Sequence, residues 1–405
     1  MNSELTVAQI GVGYWGPNLL RNLVSSHRFH VKLAVDLSAD RRDFVQSLYP
    51  DVKVSDDSEE VFSDPDIDAV IVSTPVKSHF DLSVKSLEAG KHILVEKPMA
   101  TTVDEVEEIG RLAEEKNLIA MAGHTFLYNP AVRYVKKIID SGELGVIRYI
   151  YSQRVNLGRI RSDIDAMWNL APHDISIIQY WLNELTPESV KQRGMDYVQK
   201  GINDVVFMNI QYPNNILVNI HVSWLDPHKL RRMTVVGSEK MVVYDDIAEH
   251  KITIFDKGID RMAVLGEHMD FDRPGPRHFN HRSGDAVIPE IAREEPLKIE
   301  IQHFVDCILN KTPCLTGVEH ARQVVYRAIE NRRPVIRCAN TGISMVIDAT
   351  GNILHKLPLN QKGVIQTTIK SHNIATFYNR HGDIFAQLNI IVLLLFTIIG
   401  IVKKK

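Results

Sequence analysis

The chain has 405 residues, of which 44% are hydrophobic and 24% charged, and its formal net charge is −3. These values are typical of a globular chain of two or three domains, and they exclude wholesale disorder, collagen-like repeats and a strongly basic nucleic-acid-binding protein. The charge is distributed unevenly, because residues 326–405 contain 11 Lys and Arg against 3 Asp and Glu. The end of the chain therefore differs in character from the part before it.

The cysteines indicate the redox environment. Cys307, Cys314 and Cys338 are too few and too irregularly spaced for a disulfide framework or a four-ligand zinc site. We therefore predict a reducing compartment and no metal ion. The first residues, MNSELTVAQI, include an acidic residue and no long apolar core, so they do not resemble a secretory signal. We expect the first part of the chain in the cytoplasm, without a nucleic-acid partner.

Short apolar runs alternate with amphipathic stretches from TVAQIGVG to HILVEKP. This βαβ alternation predicts an α/β fold with a doubly wound parallel Rossmann sheet at residues 1–122. Strand-like pieces such as VIRYIYSQRV and ILVNIHVSWL follow, and they predict an α+β domain with an open, mostly antiparallel sheet at residues 123–325. Within this domain, residues 257–295 are predicted to be an irregular surface excursion, with two helices after it.

Three glycines follow the first predicted strand directly and precede a helix, in the run GVGYWG. Gly11 suits the tight turn, Gly13 the close approach of a pyrophosphate, and Gly16 the close packing of helix on strand. Tyr14 and Trp15 lie in the same loop, before a helix N-terminus that favours an anion. The run predicts a dinucleotide site, with a glycine-rich turn of another α/β fold as the alternative.

The residue after the second predicted strand indicates which dinucleotide binds. Asp36 lies 20 residues beyond Gly16, where a carboxylate accepts from a ribose 2′-hydroxyl and repels a 2′-phosphate. NAD is therefore favoured over NADP. Arg41 and Arg42 follow closely and are either solvated helix charges or a pair that accommodates a 2′-phosphate.

Two further strands end at the edge where open parallel sheets bind ligands. Thr74 and Pro75 end the run AVIVSTP, and Glu96 and Lys97 end HILVEKP, so all four are predicted to contact the cofactor. A lysine at this edge, with its pKa lowered by burial, is suited to help deprotonate a substrate hydroxyl. Pro98 is a candidate for a cis peptide bond that fixes the turn.

The run WNLAPHDISII places His173 and Asp174 at the start of a predicted helix. His173 next to the lysine would be a natural general base, since its ordinary pKa lies near neutral pH. A structural or solvent-facing role is the alternative for a single histidine at this position.

Residues 5–325 resemble the Gfo/Idh/MocA oxidoreductase family through IGVGYWGPN, VEKP and APHD, in that order and at the family's spacing. The resemblance implies an NAD-binding Rossmann domain, a second domain whose open sheet supports a homo-oligomer, and Lys97 and His173 as catalytic residues. The family usually has an acid four residues before the histidine, where this chain has Asn169. Either Asp174 takes the orienting role, or Asn169 binds the substrate by hydrogen bonding alone.

The runs YWGPNLLRN and NLGRIRSDIDAMWNLAPHDISI are most similar to the nucleotide-sugar branch of that family, which includes UDP-N-acetylglucosamine 3-dehydrogenases. The resemblance implies oxidation of a secondary sugar hydroxyl to a ketone. Arg159 and Arg161 are suited to pair with a diphosphate, and Trp168 is suited to stack on a sugar or base. Tyr128 and Asn129 are candidate sugar contacts. Each of these residues has an equal structural alternative on the surface, in the core or in a turn.

The end of the chain resembles a different family. Residues 326–384 are similar to the end of the nitrilase-like domain of apolipoprotein N-acyltransferase, and residues 385–405 to its last membrane helix. The apolar run at 385–402 is at the lower limit for crossing a bilayer, which predicts a transmembrane helix that tethers the chain to the inner membrane. The catalytic Glu-Lys-Cys set of that family has no counterpart here, and Cys338 is not its nucleophile. Acyl transfer is thus an alternative function, and a non-catalytic NAD-binding protein is another.

Overall fold

The computed structural model describes residues 4–158, 160–162, 164–261 and 279–329, with three short segments at 335–337, 344–347 and 353–357. The chain divides into two compact units, residues 1–331 and residues 332–405. The predicted transmembrane helix at 385–405 lies outside the described residues. Among the helices that the structure describes, none is long and apolar enough to cross a membrane.

The first unit begins with a six-stranded parallel sheet in the order β3-β2-β1-β4-β5-β6, which is the strand order of a Rossmann fold. Its strands are β1 (Leu5–Ile10), β2 (Phe29–Val35), β3 (Lys53–Ser55), β4 (Ala69–Val72), β5 (His92–Glu96) and β6 (Ala120–Gly123). Its helices are α1 (Gly16–Ser25), α2 (Ala39–Leu48), α3 (Glu59–Ser63), α4 (His79–Glu88) and α5 (Val103–Glu115).

An eight-stranded sheet follows in the order β14-β13-β12-β11-β7-β10-β9-β8, so β14 and β8 are its edges. Only the central pair β7 and β10 is parallel among the paired strands that the structure describes in this sheet. The strands are β7 (Ile147–Val155), β8 (Ser189–Met195), β9 (Val205–Tyr212), β10 (Ile216–Ser223), β11 (Leu230–Gly237), β12 (Met241–Asp245), β13 (Ile252–Arg261) and β14 (Phe279–Val287). The prediction of a Rossmann sheet followed by a mixed sheet is confirmed.

Four further helices belong to the first unit: α6 (Pro130–Asp140), α7 (Ala166–Trp181), α8 (Pro296–Leu309) and α9 (Val318–Ile329). The two helices predicted after residue 295 are therefore present. The surface excursion predicted at 257–295 is wrong in part, because β13 and β14 pair within it and extend the sheet. The predicted domain limit at residue 122 falls inside β6, and the limit at residue 325 falls inside α9.

The hydrophobic core of the first unit connects the two sheets. Neighbouring residues on a strand point to opposite faces, so Val7 and Ile71 enter one buried cluster while Ala8 and Val70 enter another. The cluster of Val7 continues through α7 into the second sheet, where it includes Ile150. Helix α7 packs on β7 and β10 as well as on α9, and it carries the predicted catalytic histidine. Helix α7 is therefore held within the core of the unit.

The described part of the second unit is an antiparallel sheet in the order β15-β16-β17. Its strands are β15 (Val335–Arg337), β16 (Ser344–Ile347) and β17 (Ile353–Leu357).

Candidate active site

The three glycines of the first loop differ in what surrounds them. Gly11 has a φ of +93°, and a Cβ there would lie 2.7 Å from the Ser73 carbonyl oxygen. A Cβ on Gly16 would lie 2.7 Å from the Gly11 carbonyl oxygen. A Cβ on Gly13 would meet no atom of the described residues within 4 Å. Gly11 and Gly16 therefore permit close backbone packing, while Gly13 leaves open space at the mouth of the loop, as a bound pyrophosphate requires.

A buried glutamine on β1 holds this loop from beneath. Gln9 Nε2 donates to the carbonyl oxygens of Gly11 and Gly16, at 2.9 Å in each case, and to Ser73 Oγ at 3.2 Å. These bonds join the turn, the start of α1 and the end of β4. The sequence alone does not indicate this role of Gln9, because the hydrogen-bond partners of a polar residue in a buried strand depend on the fold.

Asp36 stands at the end of β2 with its carboxylate turned toward the glycine loop. Its oxygens accept from the backbone N–H of Val12 at 2.6 Å and of Ser38 at 2.9 Å. Arg42 donates to the carbonyl oxygens of Asp36 and Leu37, at 2.8 Å and 3.0 Å. Of the two interpretations of Arg42, this geometry favours the structural one, since its guanidinium already holds the β2–α2 turn. The site therefore fits the adenosine ribose of NAD.

Lys97 connects the Rossmann sheet to the helix that carries the histidine. Its Nζ donates to the backbone carbonyl of Asn169 on α7 at 3.1 Å, and the Lys97–Pro98 peptide bond is cis. The pKa of Lys97 is lowered to about 8, mainly by burial. Glu96 opposes this shift, and the positive charges of Arg154 and Arg161 contribute to it. A substantial fraction of Lys97 is therefore neutral near pH 8.

Glu96, the residue before it, is also perturbed. Burial raises the pKa of Glu96 to about 7, although Lys97 and a hydrogen bond from Trp15 oppose that shift. Trp15 is 40% exposed and Tyr14 90% exposed, so both rings stand at the open side of the glycine loop. Behind the same edge, the imidazole of His79 lies 2.9 Å from the Thr74 carbonyl and 2.8 Å from the Pro98 carbonyl, and it joins the loops after β4 and β5.

His173 lies on α7 with one ring nitrogen unengaged. Its Nδ1 has no hydrogen-bond partner among the residues that the structure describes. The ring packs edge-on against Phe126, with 4.9 Å between ring centroids. Burial lowers the pKa of His173 well below its ordinary value, and the positive charges of Lys97 and Arg154 lower it further. The imidazole is therefore neutral at pH 7 and able to accept a proton.

Asp174 does not face the substrate space. It is 1% exposed and pairs with Arg154 at 2.7 Å, while Ser152 Oγ donates to its other oxygen at 2.6 Å. Asp174 is also among the predicted substrate contacts, but its carboxylate is engaged by Arg154 and Ser152, and it does not line the cavity. Its partner Arg154 reaches the cavity instead and lies 4.6 Å from the centroid of Phe126. Asp174 therefore orients Arg154, which forms part of the cavity wall.

One large cavity of about 2060 Å³ extends from the glycine loop to the second sheet. Most of the predicted site residues line it: Gly13, Tyr14, Trp15, Thr74, Pro75, Glu96, Lys97, Asn129, Arg161, Asn169 and His173. Gly11, Gly16 and Asp36 are not among the residues that line it. Arg159 lies outside the described residues.

Two predicted substrate contacts are core residues instead. Tyr128 is fully buried, and its hydroxyl lies 3.1 Å from Thr316 Oγ1. Trp168 packs against both hydrophobic clusters of the unit. Asn129 does line the cavity, but its amide also caps α6 through the Ala131 N–H and donates to Asp246 at 3.2 Å. Neither Tyr128 nor Trp168 lines the cavity, which favours the structural alternative for both.

Several cavity residues gave no signal in the sequence. Arg154 and Arg231 come from neighbouring strands, β7 and β11, and stand side by side because those strands pair at Arg154 and Arg231. Arg231 also donates to Asn156 Oδ1 at 3.2 Å. The segment 288–297, predicted to be surface, lines the side of the cavity near α1, where Glu295 pairs with Arg21 at 2.6 Å. Only the pairing register of the second sheet would have revealed the two arginines.

Comparison with known families agrees with this geometry. Residues 5–124 match the oxidoreductase family with an NAD-binding Rossmann fold, Gfo/Idh/MocA, and residues 132–243 match a C-terminal domain of the same family. Together the two matches exceed half of the chain. The chain belongs to the Gfo/Idh/MocA oxidoreductase family. The predictions of an NAD-dependent oxidoreductase and of NAD as its cofactor are thereby confirmed.

Members of the Gfo/Idh/MocA family with a curated function match over most of their length. A scyllo-inositol 2-dehydrogenase (NAD(+)) of Bacillus subtilis is 27% identical over 79% of this chain and 91% of the relative. A UDP-N-acetylglucosamine 3-dehydrogenase of Acidithiobacillus ferrooxidans is 25% identical over 66% of this chain and 78% of the relative. A solved structure of the latter enzyme has a TM-score of 0.66 at 21% identity and covers 81% of this chain and 96% of that one.

The tail matches a second family. Residues 305–379 match the carbon-nitrogen hydrolase family, which agrees with the predicted nitrilase-like fragment. The match begins inside α8 and so overlaps the Gfo/Idh/MocA fold before it enters the second unit.

Proposed function

We propose that this chain oxidises a secondary hydroxyl of a sugar or polyol to a ketone. The observation that carries the proposal is the bond from Lys97 Nζ to the Asn169 carbonyl, which joins the end of β5 to α7 and so brings Lys97 and His173 to one cavity. The glycine loop opens into the same cavity through Gly13. Bound NAD would supply the hydride acceptor. Residues of this chain would bind the alcohol and remove its proton.

The two catalytic candidates have complementary protonation states. His173 is neutral at pH 7 and lines the cavity, so it is suited to accept the hydroxyl proton. Lys97, when protonated, stabilises negative charge that develops on the alcohol oxygen. Arg154 adds positive charge to the same wall. The net reaction converts the alcohol and NAD⁺ to a ketone, NADH and a proton.

Asn169 replaces the acid that the family usually has. Its backbone carbonyl accepts from Lys97, and the residue lines the cavity. We propose that its side-chain amide binds a substrate hydroxyl and takes no part in proton transfer, because an amide does not titrate in this pH range. His173 and Lys97 then carry the proton transfer without a third group.

We propose a nucleotide sugar as the substrate, similar to the UDP-N-acetylglucosamine of one relative. The size of the cavity supports this, since its volume is about 2060 Å³ and Arg161 lines it together with the catalytic pair. Arg161 is exposed and is suited to pair with a diphosphate.

The test uses the full chain with NAD and follows the absorbance of reduced nicotinamide. The panel contains UDP-sugars, the matching free sugars and free polyols including scyllo-inositol. We expect turnover with at least one UDP-sugar, and its loss in His173→Ala at unchanged NAD affinity. Turnover with polyols alone would refute the nucleotide-sugar assignment and keep the dehydrogenase. Turnover that persists in His173→Ala would refute the catalytic role of the histidine.

We also propose that the second sheet forms a homo-oligomer through its open face. Large apolar side chains are exposed on β7, β9 and β10, among them Tyr149, Tyr151, Phe207 and Leu217. The pairing of Leu217 with Tyr149 makes this surface continuous across strands. Sedimentation of the full chain with Tyr149→Lys would give a smaller species than the parent if this face is the interface. An unchanged mass would refute the proposal.

For the tail, we propose descent from an N-acyltransferase without acyl-transfer activity, and contact with a membrane through the apolar run at 385–402. The carbon-nitrogen hydrolase match and the 18-residue length of the run support the proposal. Flotation of the full chain with lipid vesicles, compared with Leu394→Lys, tests the contact. Equal recovery of both proteins with the vesicles would refute it.

A further inference from the structure

Three metal-ligating side chains meet on the side of α8 away from the described site. His303 and Cys307 are four residues apart on this helix and therefore share a face. Cys314 lies in the connection to α9, which folds back over that face. One ligand atom from each of the three residues lies within 4.8 Å of the other two. Sequence spacing gave no sign of this cluster, because the third member depends on the path of the connection.

The histidine stands between the Leu315 backbone and Cys307. His303 Nε2 accepts the backbone N–H of Leu315 at 3.1 Å and lies 3.4 Å from Cys307 Sγ. A backbone N–H is only a donor, so Nε2 carries no proton and the ring is the tautomer with its hydrogen on Nδ1. A neutral imidazole is the form that ligates metals, and a metal ion bound at Nε2 would replace the Leu315 N–H there.

The two thiols stand next to each other in a sheltered position. Cys307 is 1% exposed, Cys314 is half-buried, and both carry free thiols. The cluster therefore brings two free thiols and one imidazole together around a single point.

We propose that His303, Cys307 and Cys314 bind a zinc ion with water in the fourth position. Thiolate and imidazole are preferred zinc ligands, and two thiolates with one histidine form a known three-ligand set. Zn–S bonds of ~2.3 Å in a tetrahedron separate two sulfurs by about 3.8 Å, so the cluster needs to contract by an ångström or less. Binding releases the protons of both thiols to solvent. A disulfide would need only the two sulfurs, whereas a metal ion uses the imidazole as well.

The proposed metal would secure the back wall of the cavity. The connection that carries Cys314 also bonds to β6, where the Ala122 N–H donates to the Thr316 carbonyl at 2.8 Å. The His303 ring packs 5.4 Å from that of Tyr128, at the end of the turn that carries Phe126 against His173. Zinc would therefore stabilise the folded chain without contacting substrate or cofactor.

The test titrates the reduced, metal-free full chain with Co²⁺, whose thiolate complexes absorb in the near ultraviolet and whose tetrahedral complexes absorb strongly in the visible. We expect one Co²⁺ per chain with the absorbance of two thiolate ligands, and its displacement by Zn²⁺. Cys314→Ser and His303→Gln should each weaken binding by at least tenfold. Cys338→Ser is the matched control and should bind like the parent. NAD affinity equal to that of the parent shows that each variant is folded.

Three results would overturn the assignment. The first is the absence of a thiolate band in the parent chain. The second is a band that survives in Cys314→Ser or disappears in Cys338→Ser. The third is the absence of metal binding together with a mass that is 2 Da lower after oxidation in the parent but not in Cys314→Ser. This result would show that Cys307 and Cys314 form a disulfide instead. Thermal unfolding adds an independent readout, because Zn²⁺ should raise the Tm of the parent and leave that of Cys314→Ser unchanged.

Discussion

The two ends of the cavity recognise their ligands by different means. At the cofactor end the backbone forms the surface, through Gly11, Gly13 and the loop that Gln9 holds. At the substrate end the surface is made of side chains such as Arg154 and Arg231, which are 77 residues apart in sequence and pair across neighbouring strands. The residues of a site formed by backbone are consecutive in sequence, whereas the residues of a site formed by side chains are brought together by the strand register of a whole sheet.

This contrast leads to different expectations for mutation. Substitutions at the cofactor end should change NAD affinity or local packing and leave the substrate wall intact. Substitutions at the substrate end should act through charge, because Arg154 is buried there and paired with Asp174. The catalytic pair lies where the ends meet, so its loss should affect turnover and neither binding step.

The largest effect is expected for Lys97→Ala. Removal of a group that assists proton transfer and stabilises developing charge should lower kcat by roughly 10²–10⁴-fold. NAD affinity should be unchanged, since Lys97 Nζ bonds to Asn169 on α7. Single-turnover formation of reduced nicotinamide measures the chemical step. Lys77→Ala is the control, because Lys77 is exposed near the same sheet edge and lines none of the cavity. Turnover of Lys97→Ala at the parent rate would contradict the assignment.

The next effect concerns stability at the substrate end. Arg154→Ala would leave Asp174 as an unpaired charge that is 1% exposed, which should lower the free energy of unfolding by about 3–5 kcal/mol. The double variant Arg154→Ala with Asp174→Ala should be less destabilised than the single one, because no buried charge remains. Urea unfolding midpoints give the comparison. A double variant whose loss equals the sum of the two single losses would show that the pair is not coupled.

A smaller and more selective effect is expected at the glycine loop. Gly13→Ala adds a Cβ that meets no described atom within 4 Å, so the unfolding midpoint should be unchanged while NAD binds about tenfold more weakly. Gly16→Ala is its matched partner, and its Cβ would lie 2.7 Å from a backbone oxygen. It should lower the free energy of unfolding by about 1–3 kcal/mol. Calorimetric titration with NAD and thermal unfolding distinguish the two. Equal behaviour of both variants would contradict the different roles of these glycines.

The same contrast explains how much the sequence could predict. Gly11, Gly16, Asp36 and Lys97 lie in short motifs whose spacing is fixed by one strand and one turn, so local patterns predict their positions. Tyr128 and Trp168 lie in equally suggestive motifs, but they are core residues. Their packing depends on how the two sheets meet, which a local sequence pattern does not predict.

Distance in sequence limits the prediction in the same way elsewhere. The pairing of Asp174 with Arg154 spans 20 residues and two elements, and Cys314 joins His303 only because a connection reverses direction. In both cases the residue types were visible in the sequence and their partners were not. The strands at β13 and β14 were missed because charged and glycine-rich residues, as in HFNHRSGD, also suit irregular loops.

The smallest effect concerns charge at the point where the two ends meet. With a pKa of about 8, Lys97 loses its proton as the pH rises through 8, and kcat/KM should fall over that range because the neutral amine no longer stabilises negative charge on the alcohol oxygen. Glu96 raises this pKa and Arg161 lowers it, so Glu96→Gln should move the fall to lower pH and Arg161→Gln to higher pH. Each displacement should be about one pH unit or less, because each variant removes one interaction of about 1.4 kcal/mol or less. Profiles of kcat/KM from pH 6 to 10 provide the measurement. Displacement of both variants in the same direction would show that Lys97 is not the group that titrates.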